Sequence, residues 1–122
     1  MNKIIVVAAG IAALTPAGLA TAQGGPTAHA TTTATATSVR GKEFSFRLSK
    51  TSIPKPRTVT FTFHNVGRTA HDFRIGGKQT RLIGPGKTAR LTVTFHEKGR
   101  FSYLCTVPGH AEAGMKGVFT VR

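Results

Sequence analysis

The chemistry of this chain concentrates in one short stretch, Cys105-Thr106-Val107-Pro108-Gly109-His110-Ala111-Glu112-Ala113-Gly114-Met115. It holds the only cysteine and, the initiator aside, the only methionine, with a histidine midway between them. A thiolate, an imidazole and a thioether form a soft donor set, of the kind that selects copper when one more imidazole completes a trigonal His2Cys site with a weak axial Met. Ten residue steps fully extended would span roughly 33 Å, so the three donors meet at one ion only if the segment bends back. Pro108-Gly109 and Gly114 permit that bend.

A lone cysteine cannot form a disulfide within its own chain. It is an intermolecular bridge, an inert buried thiol or a ligand, and the His and Met beside it favour the ligand. A further imidazole must then come from elsewhere, and strand parity separates the candidates. His64 and His96 fall on the polar side of alternating segments and read as solvated surface residues. His29 lies in a small, polar stretch and could bind metal only adventitiously. His71 follows the loop Asn65-Val66-Gly67-Arg68-Thr69-Ala70 and shares parity with Phe73 and Ile75, so its ring points the way core residues point. A histidine there is ordinarily a core or rim residue, but here a three-donor loop needs a partner. His71 is the first choice and His64 the next.

The elements that must position these residues are strands. From about Val39 onward the pattern is period-two and punctuated by turns. Phe44, Phe46 and Leu48 alternate with Glu43, Ser45 and Arg47. Val59, Phe61 and Phe63 alternate with threonines, as do Leu91, Val93 and Phe95, and Phe101 and Tyr103 lead into Cys105. Gly76-Gly77 signals a hairpin. The expectation is an all-β domain, a small antiparallel Greek-key β-sandwich of about seven to eight strands, occupying residues 32–122. The Thr/Ala alternation from Thr32 into Val39 suggests a first strand at a sheet edge. Ahead of it, residues 1–22 read as a secretory signal: Met1-Asn2-Lys3, an apolar run from Ile4 to Leu14, and small residues Ala20-Thr21-Ala22 for cleavage after Ala22. The competing reading is an uncleaved anchor. Residues 23–31 lack large apolar groups and read as a disordered spacer.

Read as Cys-x4-His-x4-Met, with Pro-Gly before the His and Gly before the Met, the loop resembles that of the cupredoxins, or blue type 1 copper proteins, in the spacing found in the rusticyanin and sulfocyanin branch. The resemblance covers about Val39 to Arg122 and is strongest at His71-Asp72-Phe73 and from Cys105 to Gly117. It implies one copper ion held by His71, Cys105, His110 and Met115, and a protein that shuttles single electrons between partners. It also implies that His110 presents its ring edge at the surface among Pro108, Gly109, Ala111, Ala113 and Pro85. One departure is visible. The residue after the first His is often Asn in this family, where its side chain ties the two ligand loops together, and here it is Asp72.

Charge bounds the partner. The chain has 17 Lys plus Arg against 4 Asp plus Glu, a formal +13, which steers toward acidic partners at low salt and toward an anionic cell envelope. Nucleic acid is disfavoured: the phenylalanines that could stack on bases alternate inward and no basic run of motif type is present. No nucleophile, base and acid are arranged for catalysis, so an enzyme is not expected. An exported, monomeric electron carrier in the periplasm or outside the cell is the expected class. The alternatives are an extracytoplasmic copper chaperone or scavenger, disfavoured by the single Met of the mature chain, and a metal-free structural β-sandwich.

Overall fold

The computed structural model describes residues 34–122, so the expected signal (1–22) and spacer (23–31) lie outside the described residues. Among the described residues, nine strands form two sheets: β1 (Thr35–Lys42), β2 (Ser45–Leu48), β3 (Ser52–Ile53), β4 (Thr58–Asn65), β5 (Arg74–Ile75), β6 (Lys78–Gln79), β7 (Thr88–Thr94), β8 (Gly99–Leu104) and β9 (Lys116–Val121). One sheet has the order β2-β1-β4-β7 and the other β3-β9-β8-β5-β6. The all-β sandwich is as expected, but the sheets are mixed. β1 runs parallel to β4 and β3 parallel to β9. Alternation reports which face of a strand is buried and is blind to its direction, so the parallel pairs left no mark in the pattern. Three of the nine strands are two residues long, which explains the lower expected number.

The first strand is not an edge. β1 lies between β2 and β4, paired over four and seven residues respectively. Its small residues suit that place: Thr37, Val39 and Gly41 are buried on alternate positions, and Gly41 leaves room for its neighbours. A Cβ there would lie 2.6 Å from a ring carbon of Phe63 and 3.2 Å from the Met115 methyl. The Gly76-Gly77 hairpin forms as the sequence indicates, joining β5 to β6 with both glycines at positive φ (59° and 77°), the conformation a two-residue turn of this kind needs.

Between the sheets the aromatic side chains interlock. Phe61 touches Phe73 and Phe119, each with ring centroids 5.4 Å away, and Phe95 at 6.4 Å. Phe73, two residues after His71, sits among Phe46, Phe61 and Tyr103 at 5.3 to 5.6 Å. This packing pins the start of the His71 segment to the core. Phe46 and Leu48 pack against that core, but Phe44 does not. It lies in the turn between β1 and β2, 44% exposed, because the inward alternation of this segment begins only with β2.

Truncating Phe61 to alanine removes three aromatic contacts from a fully buried site. The expected loss is about 3–5 kcal/mol, read as a lowered midpoint in urea denaturation of the metal-free protein.

Candidate metal centre

Two loops at one pole of the sandwich build the site. The first, from Asn65 to His71, is wound around the buried Asn65 side chain. Its Nδ2 donates to the carbonyls of Thr69 (2.8 Å) and Ile83 (2.9 Å), and its Oδ1 accepts the Gly67 N–H (2.9 Å). His71 is then fixed by a two-way backbone bridge with Ile83 (3.1 and 3.0 Å). The second loop, from Cys105 to Met115, closes on itself. The Cys105 N–H donates to the Met115 carbonyl (3.1 Å), and the Met115 N–H donates to the His110 carbonyl (3.0 Å). Gly109 and Gly114 make the turn at positive φ (84° and 116°).

The convergence is tight. His71 Nδ1 and His110 Nδ1 are 3.1 Å apart, and Cys105 Sγ lies 3.6 Å from His110 Nδ1 and 3.9 Å from His71 Nδ1. A first-row ion bound at about 2.0 Å to nitrogen and about 2.3 Å to sulfur in a trigonal plane separates its donors by roughly 3.5–3.7 Å, so the cluster fits a single ion. His71 and Cys105 are buried and His110 half-buried. Met115 is fully buried and is tied by its backbone to both Cys105 and His110. His64 stands on the outer sheet face with Nδ1 3.0 Å from the Thr88 hydroxyl, and His96 is exposed. Neither approaches the cluster, and His29 lies outside the described residues.

Both residues of the β1–β2 turn touch the site, and the sequence reading missed them. Glu43 Oε1 accepts His71 Nε2–H (3.0 Å), the N–H groups of Arg68 and Thr69 (2.8 Å each) and the Thr69 hydroxyl (2.9 Å). Main-chain N–H groups, its own first and then those of Thr69 and Arg68, hold the Glu43 carboxyl far below the ordinary range, with His71 adding to them. Because Nε2 carries the proton given to Glu43, a neutral His71 turns its Nδ1 lone pair toward the cluster. Phe44 meets the His110 ring edge-on at 5.1 Å. The one available signal was scarcity: of four acidic residues in the whole chain, two are used here. The second is Asp72. Its Oδ1 accepts the Thr106 N–H (2.7 Å) and its Oδ2 the Thr106 hydroxyl, so the carboxylate ties the two loops together and does not face solvent.

Burial pushes the Cys105 thiol above its ordinary value, against the main-chain N–H groups of Asp72 and Val107, which favour the thiolate.

A two-sheet β shell with two imidazoles and a buried thiol gathered at one pole defines a blue copper protein. Residues 33–122 match the family model described as copper binding proteins, plastocyanin/azurin family, and the chain belongs to that family, with copper as its metal. Curated relatives include the copper-resistant cuproprotein CopI of Pseudomonas aeruginosa, 49% identical over 41 residues covering 34% of this chain and 23% of that protein. The CopI of Rubrivivax gelatinosus is 27% identical over 92 residues, 58% of this chain and 56% of that one. The chain thus spans about a quarter to just over half the length of these relatives. Among solved structures, reduced auracyanin from Roseiflexus castenholzii is 26% identical, with 72% of this chain and 96% of that one covered and a TM-score of 0.64. Auracyanin A from Chloroflexus aurantiacus, at 21% identity, 71% and 98% coverage and a TM-score of 0.59, shares the fold.

Because the metal-free fold favours the protonated thiol, copper uptake at pH 7 should release a proton from Cys105, measurable by indicator dye in weak buffer. The same shift makes the unfolded chain lose its thiol proton first as pH rises. Metal-free protein should therefore lose stability above about pH 8.5, and Cys105→Ser should abolish that part of the slope.

Proposed function

We propose that this cupredoxin carries single electrons outside the cytoplasm, with one copper ion held by His71, Cys105 and His110 and by Met115 as a distant fourth donor. The observation that carries the reading is the convergence of two Nδ1 atoms and one Sγ, all within 4.8 Å of one another, on loops braced by an aromatic core. Bound there, copper supplies a one-electron couple whose two oxidation states tolerate the same trigonal donor set.

The protein's part is to keep those donors in place. Glu43 fixes the His71 tautomer and ring orientation, as carboxylate partners of ligand histidines do. Asp72 and Thr106 lock the thiol loop to the histidine loop. Burial of Cys105 and Met115 excludes water from the sulfur side, leaving half-buried His110 as the route by which an electron enters or leaves. Such a rigid, closed donor set suits transfer better than turnover, so the reading is of a carrier and not an enzyme. The leader-like residues 1–22 support export.

Copper-loaded protein should be intensely coloured, keep its metal through repeated reduction and reoxidation, and lose the colour in Cys105→Ser. A colourless loaded protein would overturn the reading. Glu43→Gln removes a negative charge hydrogen-bonded to a ligand imidazole and should raise the reduction potential while keeping the colour. Each tenfold change in relative affinity for the two oxidation states corresponds to about 59 mV in voltammetry.

The CopI relatives favour a second reading, copper sequestration in resistance. Loss of copper on reduction, with transfer to an added chelator or acceptor protein, would select it over electron transfer.

A further inference from the structure

The β1–β2 hairpin carries a second feature besides its turn. On the outer face of the four-stranded sheet, Arg40 of β1 stands directly opposite Arg47 of β2 on one side and His64 of β4 on the other. Lys42, two residues on and on the same face, lies next to the turn that reaches the metal centre. Arg40, Lys42 and Arg47 are all exposed. Like charges directly opposite one another destabilise a sheet, and nothing nearby relieves these. Among the described residues the only carboxylate within ion-pair distance of a basic group is Glu43, and its partner is His71. Glu43 is occupied by four donors and Asp72 by Thr106. The three cations, with Ser45, Phe46 and Val66, line an open depression, in which Val66 is 45% exposed.

The position of this depression gives it meaning. The same turn that joins Lys42 to Ser45 places Phe44 edge-on against His110. A molecule seated on the cations and extending over this turn onto Phe44 reaches the residue that packs against the half-buried His110 imidazole.

Resting on the electron-carrier reading, we propose that the depression and Phe44 form the docking surface for an acidic redox protein, whose carboxylates supply the counter-charges that Arg40, Lys42 and Arg47 lack. The occupant is a protein and not a membrane for two reasons. It must exchange one electron next to His110, which a lipid headgroup cannot do, and the exposed apolar groups of the hairpin region, Phe44 and Val66, offer a bilayer little to bury. Complementary charge would accelerate encounter and lose that effect as salt rises.

The test compares wild type with Arg40→Ser/Lys42→Ser/Arg47→Ser and with a charge-matched control at the opposite pole, Lys98→Ser/Arg100→Ser/Arg122→Ser. Oxidation of the reduced protein by hexacyanoferrate(III), one electron passing from copper to iron, is followed by stopped flow at low and high ionic strength. Binding of a hexaglutamate peptide is mapped by amide chemical shifts. The hairpin variant should be slower by about tenfold at low salt, the control by far less, and the two should converge at high salt. Peptide shifts should cluster at residues 40–47 and 66 and vanish in the hairpin variant. Equal slowing of both variants, or peptide shifts spread over both sheets, would reduce the effect to net charge and overturn the proposal. Hairpin-dependent binding to phosphatidylglycerol vesicles without peptide binding would overturn it in favour of a membrane. A protein that accepts no electron sinks the carrier reading, whereas the peptide map judges the surface independently.

Discussion

Three electron-rich atoms, from segments 34 residues apart in the chain, are held within 3.9 Å of one another, and the rest of the molecule is arranged to tolerate that crowding. Lone pairs facing each other at such range are unfavourable unless a proton or a cation lies among them, so the donors stay together only because their backbones have nowhere else to go. The His71 loop is bound through Asn65 and Ile83, the Cys105 loop is closed by its own hydrogen bonds, and Asp72 joins the two. Behind them Phe73 is clamped by aromatic neighbours. The core thus keeps the donors together by preventing relaxation, which on the proposed carrier function would limit the rearrangement a change of oxidation state demands.

What was legible in the sequence was local. Cys105, His110 and Met115 lie within one loop, and their intervals single out the proposed donor set without any knowledge of the fold; the structure gathers Cys105 and His110 with His71. His71 was reachable because Phe73 and Ile75 share its parity and are core residues. What was not legible was contact across distance. Glu43 meets His71 over a separation of 28 residues, and as one polar position in an alternating segment it looked like any other outward residue. Phe44 looked like a core residue for the same reason. Its side chain falls in the turn, where alternation ceases to predict direction. The parallel pairing of β1 with β4, and the interior place of β1, were hidden because side-chain periodicity carries no information on strand order or polarity.

The scarcity of acid in this chain gives each carboxylate unusual weight. Glu43 and Asp72 are both spent on bracing the metal loops, and Glu97 and Glu112 are exposed. The positive charge of the outer surface is therefore almost unopposed, which favours solubility and attraction to anions, at the cost of self-repulsion in the compact state.

The interior place of β1 also governs how the domain bears force. Tension applied along the axis of β1 with the copper pole held acts on a strand flanked on both sides, parallel to β4 over seven residue pairs and antiparallel to β2 over four. Both ladders are loaded in shear, so their hydrogen bonds must fail together and not one at a time as in peeling an edge. Under such a pull the resistance lies in the very strand whose last residues abut the copper pole.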